Sequence, residues 1–241
     1  MNRFITGALY LYDGFKLLAV PGLKRYVIIP LIINLFFFVG FFLLLRHEMA
    51  LFNLWFVNHL PHWLRWMTTI LWLFFFATFI ILFLYTFITL ANIIAAPFNS
   101  LLAEKVEYYL TGNQLAPRSL WESIKNSPRI IARQFAILAY YLPRALVILI
   151  LFIIPIVHFF AVILWFLFNA WFLSLTYLDY PSDNHEVPLT KVRAWQSKQA
   201  WTSFGFGISV FVTSMIPFVN FFTIPAAVAG ATKWWVLSEK N

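Results

Sequence analysis

The sequence predicts an all-α integral membrane protein, and three observations carry that prediction. Of 241 residues, 62% are hydrophobic and only 11% charged, whereas soluble chains carry about 25% charged residues. Four stretches, 26–45, 66–103, 145–178 and 199–232, hold no Asp, Glu, Lys or Arg; about 20 apolar residues in a helix cross roughly 30 Å of hydrocarbon. The 29 Phe, 11 Trp and 10 Tyr are more than so few charges can break into small patches on a wet surface. The expected organisation is a single membrane domain over 1–241.

Residues 1–25 come first. Asp13, Gly14 and Lys16 interrupt the apolar run and no small-residue cleavage pattern follows, so the segment does not read as a signal peptide. Phe4 to Ala19 reads as an amphipathic helix lying on the membrane surface. Residues 26–45 form one span, flanked by Lys24, Arg25 and Arg46. Residues 66–103 are too long for the bilayer, about 57 Å if helical at 1.5 Å per residue. Asn92 and Pro97 suggest that hydrocarbon ends near residue 92, with AAPFNSLLAEKVEYYL continuing as a polar-faced extension. Residues 104–144 are a basic helical region, in which Ser127-Pro128 suits a helix start. Arg129 and Arg133 share one face of that helix with Tyr140, while Ile131, Phe135 and Leu138 lie on another.

The last two stretches each carry a proline near their middle. Aligned on Pro155 and Pro217, Ile-Pro-Ile-Val-His-Phe-Phe (154–160) matches Ile-Pro-Phe-Val-Asn-Phe-Phe (216–222), an internal repeat. Each is either one over-long span kinked at proline or a helical hairpin that dips into the membrane and returns. A turn at membrane depth needs protein or a water-lined cavity around its backbone. Basic residues concentrate in 1–25 and 104–144, which places both in the cytoplasm by the positive-inside rule. Two hairpins would keep 179–198 and the C-terminus there too, and the charge bias favours them.

Chemistry has few candidates. There is no cysteine, which removes disulfides, thiolate nucleophiles and thiolate metal sites. The five His have no metal-ligand spacing, and no catalytic triad, carboxylate dyad or nucleotide loop is recognisable. His158, the one ionisable residue within the apolar stretches, reads as a packing histidine at a turn. No catalytic residue, metal or cofactor is expected. The net charge of +8 points to anionic lipid or a small anion, with nucleic acid the weakest option in so apolar a chain. Val20-Pro21-Gly22-Leu23-Lys24-Arg25-Tyr26, directly before the first span, combines two cations with a helix N-terminus, whose unpaired N–H groups and dipole favour anions. Lipid anchoring is the plainer role for such residues. Arg129 and Arg133 either lie on anionic lipid or form a basic vestibule that concentrates anions.

Taken together, PGLKRYVIIPLIIN, NIIAAPFNSLLAEKVE and the two Pro-centred stretches resemble the CysZ family of bacterial inner-membrane sulfate permeases, which supply sulfate for cysteine biosynthesis. The resemblance covers nearly the whole chain. The family carries a Gly-Leu-Arg motif where this chain has Gly22, Leu23 and Lys24, with Arg25 following. The departure keeps a cation but loses the forked donor at position 24. The resemblance implies two long transmembrane helices plus two hemi-penetrating hairpins. It also implies sulfate bound at Gly22, Leu23, Lys24 and Arg25, and it draws attention to Asn92, Pro97, Phe98 and Glu104 as residues shaping a pore. The expected protein is a non-enzymatic, channel-like sulfate permease, a homo-oligomer of two or more copies, with sulfate and membrane lipids as partners. The rival reading is a non-transporting scaffold that binds anionic lipid and a partner protein.

Overall fold

The computed structural model describes residues 2–59, 61, 68–112, 127–216 and 218–239. All regular structure among them is helical. The helices are α1 (Arg3–Leu18), α2 (Lys24–His59), α3 (Thr68–Thr111), α4 (Ser127–Leu151), α5 (Val157–Asn184), α6 (Leu189–Lys198), α7 (Ala200–Ser214) and α8 (Asn220–Glu239). Among the described residues, three segments are long and apolar enough to cross a membrane, Lys24–Phe52, Ala132–Leu151 and Val157–Asn184, with a shorter apolar helical segment at Trp72–Ile81. The chain divides into two compact units, Met1–Ile28 with Ala96–Asn241, and Ile29–Ala95.

The smaller unit is a pair of apolar helical segments packed through aromatic side chains. Leu45, Met49 and Phe83 are buried, with Phe41, Trp72, Phe75, Phe76 and Phe79 around them. Phe52 stacks on Phe75 with ring centroids 3.9 Å apart. Sequence reading ends the first span at Arg46, but α2 runs through Arg46, His47 and Glu48 to His59. Three polar residues in succession do not stop a helix whose flanks are strong helix formers. Residues 46–65, which separate the first two charge-free stretches, are therefore helical as far as His59, while His62 and Trp63 lie outside the described residues.

The larger unit is built on close crossings at glycine. A Cβ on Gly7 would strike the backbone of Thr202, and one on Gly205 would strike Phe4. The same holds for Gly14 against Ala226 and Gly230 against Tyr10. Thus α1 lies in van der Waals contact with both α7 and α8, burying Gly7, Leu11, Gly14 and Leu17. These recur every three or four residues and so form one stripe. Small residues that let helix backbones approach are the usual basis of helix association in membranes. Trp234, 1% exposed, closes the core. Tyr10 stacks on it at 5.8 Å, and its Nε1 donates to Gln199 Oε1 at 3.0 Å. Ile5, Leu9 and Tyr12 remain exposed on the opposite side of α1.

At both Pro-centred repeats the two flanking helices make side-chain contacts with each other. Helix α4 ends at Leu151 and α5 begins at Val157. Tyr141 packs on Phe172 at 4.4 Å, and its hydroxyl bonds Asn169 Oδ1 at 3.3 Å. In one kinked helix those residues would stand about 40 Å apart at 1.5 Å per residue. The second repeat does the same, α7 and α8 meeting through Phe206 and Trp234 at 5.9 Å. The two turns share their geometry as well as their sequence. The residue after each proline, Ile156 and Phe218, takes a positive φ of 72° and 64°. His158 N–H then donates to Ile154 O at 3.2 Å and Asn220 N–H to Ile216 O at 3.1 Å. The first arm is longer than the apolar stretch suggests, because α4 runs unbroken from Ser127 through Pro143. Charge placed 127–144 in a separate basic region, yet the apolar residues Ile137, Ala145 and Ile148 of the same helix are all buried.

Candidate anion site and the buried polar block

The turn between α1 and α2 is closed by short backbone bonds. Leu23 N–H donates to Val20 O at 3.2 Å and Tyr26 N–H to Leu23 O at 3.1 Å. Gly22 sits between them at φ +93°, in the left-handed region where side chains are strained. A Cβ there would meet nothing within 4 Å, so backbone conformation, and not space, requires the glycine. Leu23 is 4% exposed and anchors the turn. Lys24 and Arg25, the first two residues of α2, are exposed. Arg25 leans over the Tyr26 ring at 5.0 Å. Among the described residues neither cation has a carboxylate partner. The turn thus presents two unneutralised cations at the positive end of a long helix dipole.

The other sequence candidates are dispersed. Asn92 lies within α3 and Arg129 within α4, and the side chains of both fall outside the described residues. Pro97 and Phe98 are half-buried inside α3, which continues past the proline. Glu104 is buried and accepts from Lys105 Nζ at 2.9 Å. Arg133 is committed to carboxylates. Its Nε donates to Asp179 Oδ1 and Oδ2 at 3.0 and 2.9 Å, and Nη2 to Asp179 Oδ1 at 2.8 Å. Nη1 reaches Asp183 Oδ1 at 3.1 Å, and Nη2 also meets Ser182 Oγ at 3.4 Å. Two carboxylates around one guanidinium leave no surplus positive charge at that point, and the geometry makes Arg133 a clamp between α4 and α5.

That clamp belongs to a buried polar block which sequence reading missed. Ser100 Oγ donates to Asn184 Oδ1 at 2.7 Å, and Asn184 Nδ2 returns a bond to Ser100 O at 2.9 Å. Asn99 Nδ2 donates to the Tyr180 hydroxyl at 3.4 Å. His185 Nε2 lies 2.8 Å from Glu107 Oε1. Helix α3 beyond Pro97 and the last turns of α5 are therefore joined by a ladder of polar pairs. Its signal in the sequence is spacing. Asp179, Ser182 and Asp183 fall at i, i+3 and i+4, on one helix face, as do Asn99, Ser100, Glu104 and Glu107 on theirs. Both sets lie at or just beyond the ends of charge-free stretches.

The chain matches known proteins over most of its length. Residues 10–225 match the family model described as sulfate transporter CysZ/etoposide-induced protein 2.4. A sulfate transporter CysZ from Pseudomonas fluorescens is 43% identical over 233 residues, 96% of this chain and 93% of that protein. One from Salmonella typhimurium is 43% identical over 232 residues, covering 96% and 92%. Another, from Pectobacterium atrosepticum, is 40% identical over 237 residues, covering 98% and 86%. With both the apolar helices and the site turn inside the matched region, the chain belongs to the family of the sulfate transporter CysZ.

Proposed function

We propose that the protein is a sulfate permease of the bacterial inner membrane, admitting sulfate to the cytoplasm for cysteine biosynthesis. The observation that carries this reading is the near-complete match, at 40–43% identity, to proteins named sulfate transporters. It also disfavours the scaffold alternative and an enzymatic role. Gly22, Leu23, Lys24 and Arg25 form the sulfate site. The dianion is held by the ammonium, by the forked guanidinium and by N–H groups at the start of α2. The N-terminus is cytoplasmic, as is the segment between the two helical pairs. Helix pairs α4/α5 and α7/α8 enter the membrane from that side and return without crossing. Exposed Ile153, Ile156, Phe159 and Phe160 at one tip, and Met215, Phe218 and Phe221 at the other, suit hydrocarbon surroundings.

Flux is channel-like, without nucleotide hydrolysis. Buried carboxylates that a proton relay would use already have partners: Asp179 and Asp183 face Arg133, Glu104 faces Lys105 and Glu107 faces His185. A strongly hydrated dianion needs a wet path that so few spans do not enclose alone, so the working form contains two or more copies. The test of the site is equilibrium binding of radiolabelled sulfate to detergent-solubilised protein. Lys24→Ala with Arg25→Ala should lower affinity at least 100-fold while the melting temperature holds. Unchanged affinity in the folded double variant contradicts the assignment.

A further inference from the structure

A second basic feature stands apart from the turn before α2. Tyr140 of α4 holds two arginines: the guanidinium carbons of Arg144 and Arg193 each lie 3.9 Å from its ring centroid. Two guanidinium groups at that distance over one face would collide, so they stack on opposite faces. Arg144 comes from α4, where its Nη1 also donates to Tyr140 O at 2.7 Å; Arg193 comes from α6. Each cation gains attraction from the ring quadrupole, but the pair repels itself. Among the described residues neither has a carboxylate partner, in contrast to Arg133. Two stacked forks, of which Arg144 spends Nη1 on Tyr140 O and keeps its other N–H donors, form a receptor for an oxyanion.

The surroundings specify which kind. On one side is an open cavity of about 360 Å³ lined by Tyr140, Trp171, Thr190, Arg193, Ala194 and Ser197. The exposed Thr190 supplies a hydroxyl at its rim, while the hydroxyl of the exposed Ser197 donates to Arg193 O at 2.9 Å. On the other side is a groove of about 500 Å³ lined by Pro143, Val147, Ile148 and Phe168, with Arg144 as its single polar residue. Arg193 lines the cavity together with Tyr140, whereas Arg144, stacked on the same ring, lines the groove. Arg144 is also the last charge before the apolar run 145–178, at the level where a membrane helix passes from headgroups to hydrocarbon. A free inorganic anion has no use for the groove, whereas a phospholipid has a phosphate for the arginines and an acyl chain for the groove.

The geometry points to a specific phospholipid site in which Arg144 and Arg193, stacked on Tyr140, bind the phosphate of an anionic lipid while its acyl chain lies against Pro143, Val147, Ile148 and Phe168. The lipid joins α6 to the α4/α5 pair and neutralises two cations that have no carboxylate partner among the described residues. This inference rests on the membrane location of the chain and not on sulfate transport.

Native mass spectrometry of the full chain in detergent, titrated with dioleoyl phosphatidylglycerol, tests it. The wild type should retain one lipid per chain, and the Arg144→Gln, Arg193→Gln double variant should retain at least fivefold less. Ser197→Glu, at an exposed position on the cavity rim, should show the same loss without touching the core, and so covers the case in which the double variant fails to fold. Lys24→Ala with Arg25→Ala should retain lipid normally, which separates this site from the sulfate site. Dioleoyl phosphatidylcholine should be retained poorly. Equal phosphatidylglycerol retention by wild type and Ser197→Glu overturns the proposal. Displacement of the lipid by millimolar sulfate or inorganic phosphate, with tight binding of those ions alone, overturns the lipid assignment in favour of a free-oxyanion site.

Discussion

Gly22 is the residue on which the candidate sulfate site turns. Its φ of +93° sets the direction in which α2 begins, and α2 begins with the two exposed cations. Gly22→Ala should cost about 1 kcal/mol of stability, the strain of a left-handed L-residue, and weaken sulfate binding more than that strain alone because the turn reorients. Calorimetric melting and equilibrium binding on the same variant separate the two effects. Arg133 is the opposite case, a cation with no surplus charge. Removing it leaves the buried Asp179 without its ion-pair partner, so Arg133→Ala should cost about 3–5 kcal/mol, read as a large fall in melting temperature. Arg133→Lys should recover only part of this, since a point charge does not replace three bonds to Asp179. The turn was legible in the sequence because Pro, Gly and two cations sit together. The Arg133 clamp was not, since its partners are more than 40 residues away and nothing local marks a guanidinium as paired.

Among the helices, glycine contacts and proline turns do most of the positioning. Gly205 faces the Phe4 carbonyl so closely that even one added carbon collides with backbone. Gly205→Val should therefore detach α1 from α7 and lower the melting temperature, whereas Gly40→Ala, in α2 with open space around it, should be neutral to slightly stabilising. The sequence marked both turns by repeating itself around Pro155 and Pro217, but left kinked span and hairpin open. That choice depends on contacts between residues such as Tyr141 and Phe172, which periodicity does not register. It also divided the first pair wrongly, because a basic amphipathic half-helix and an apolar half-helix look like two regions when they are one. The absence of native cysteine makes single-cysteine labelling clean. Ile156→Cys and Phe218→Cys should resist a membrane-impermeant maleimide from both sides, while Lys191→Cys should react from the cytoplasmic side. Reaction of Lys191→Cys from the outside would contradict the proposed cytoplasmic position of α6 and mean that the α4/α5 pair crosses the membrane.

At the scale of the whole molecule, charge and apolar surface tell one story. Composition alone identified the solvent as lipid, and the exposed Phe, Ile and Leu side chains along α2, α4 and α5 agree with it. The excess of 17 Lys and Arg over 9 Asp and Glu was legible as attraction to anions but not as three distinct uses. Lys24 and Arg25 are exposed and have no carboxylate partner among the described residues, Arg133 is locked, and Arg144 and Arg193 share a tyrosine. Only the first of these is asked to handle sulfate. Radiolabelled sulfate uptake into proteoliposomes of purified protein, with and without an imposed proton gradient and alongside the Lys24→Ala, Arg25→Ala double variant, tests that assignment most directly. Uptake that needs no proton gradient and is lost in the double variant is the predicted result. No uptake by folded, correctly inserted protein, or full uptake by the double variant, would contradict it.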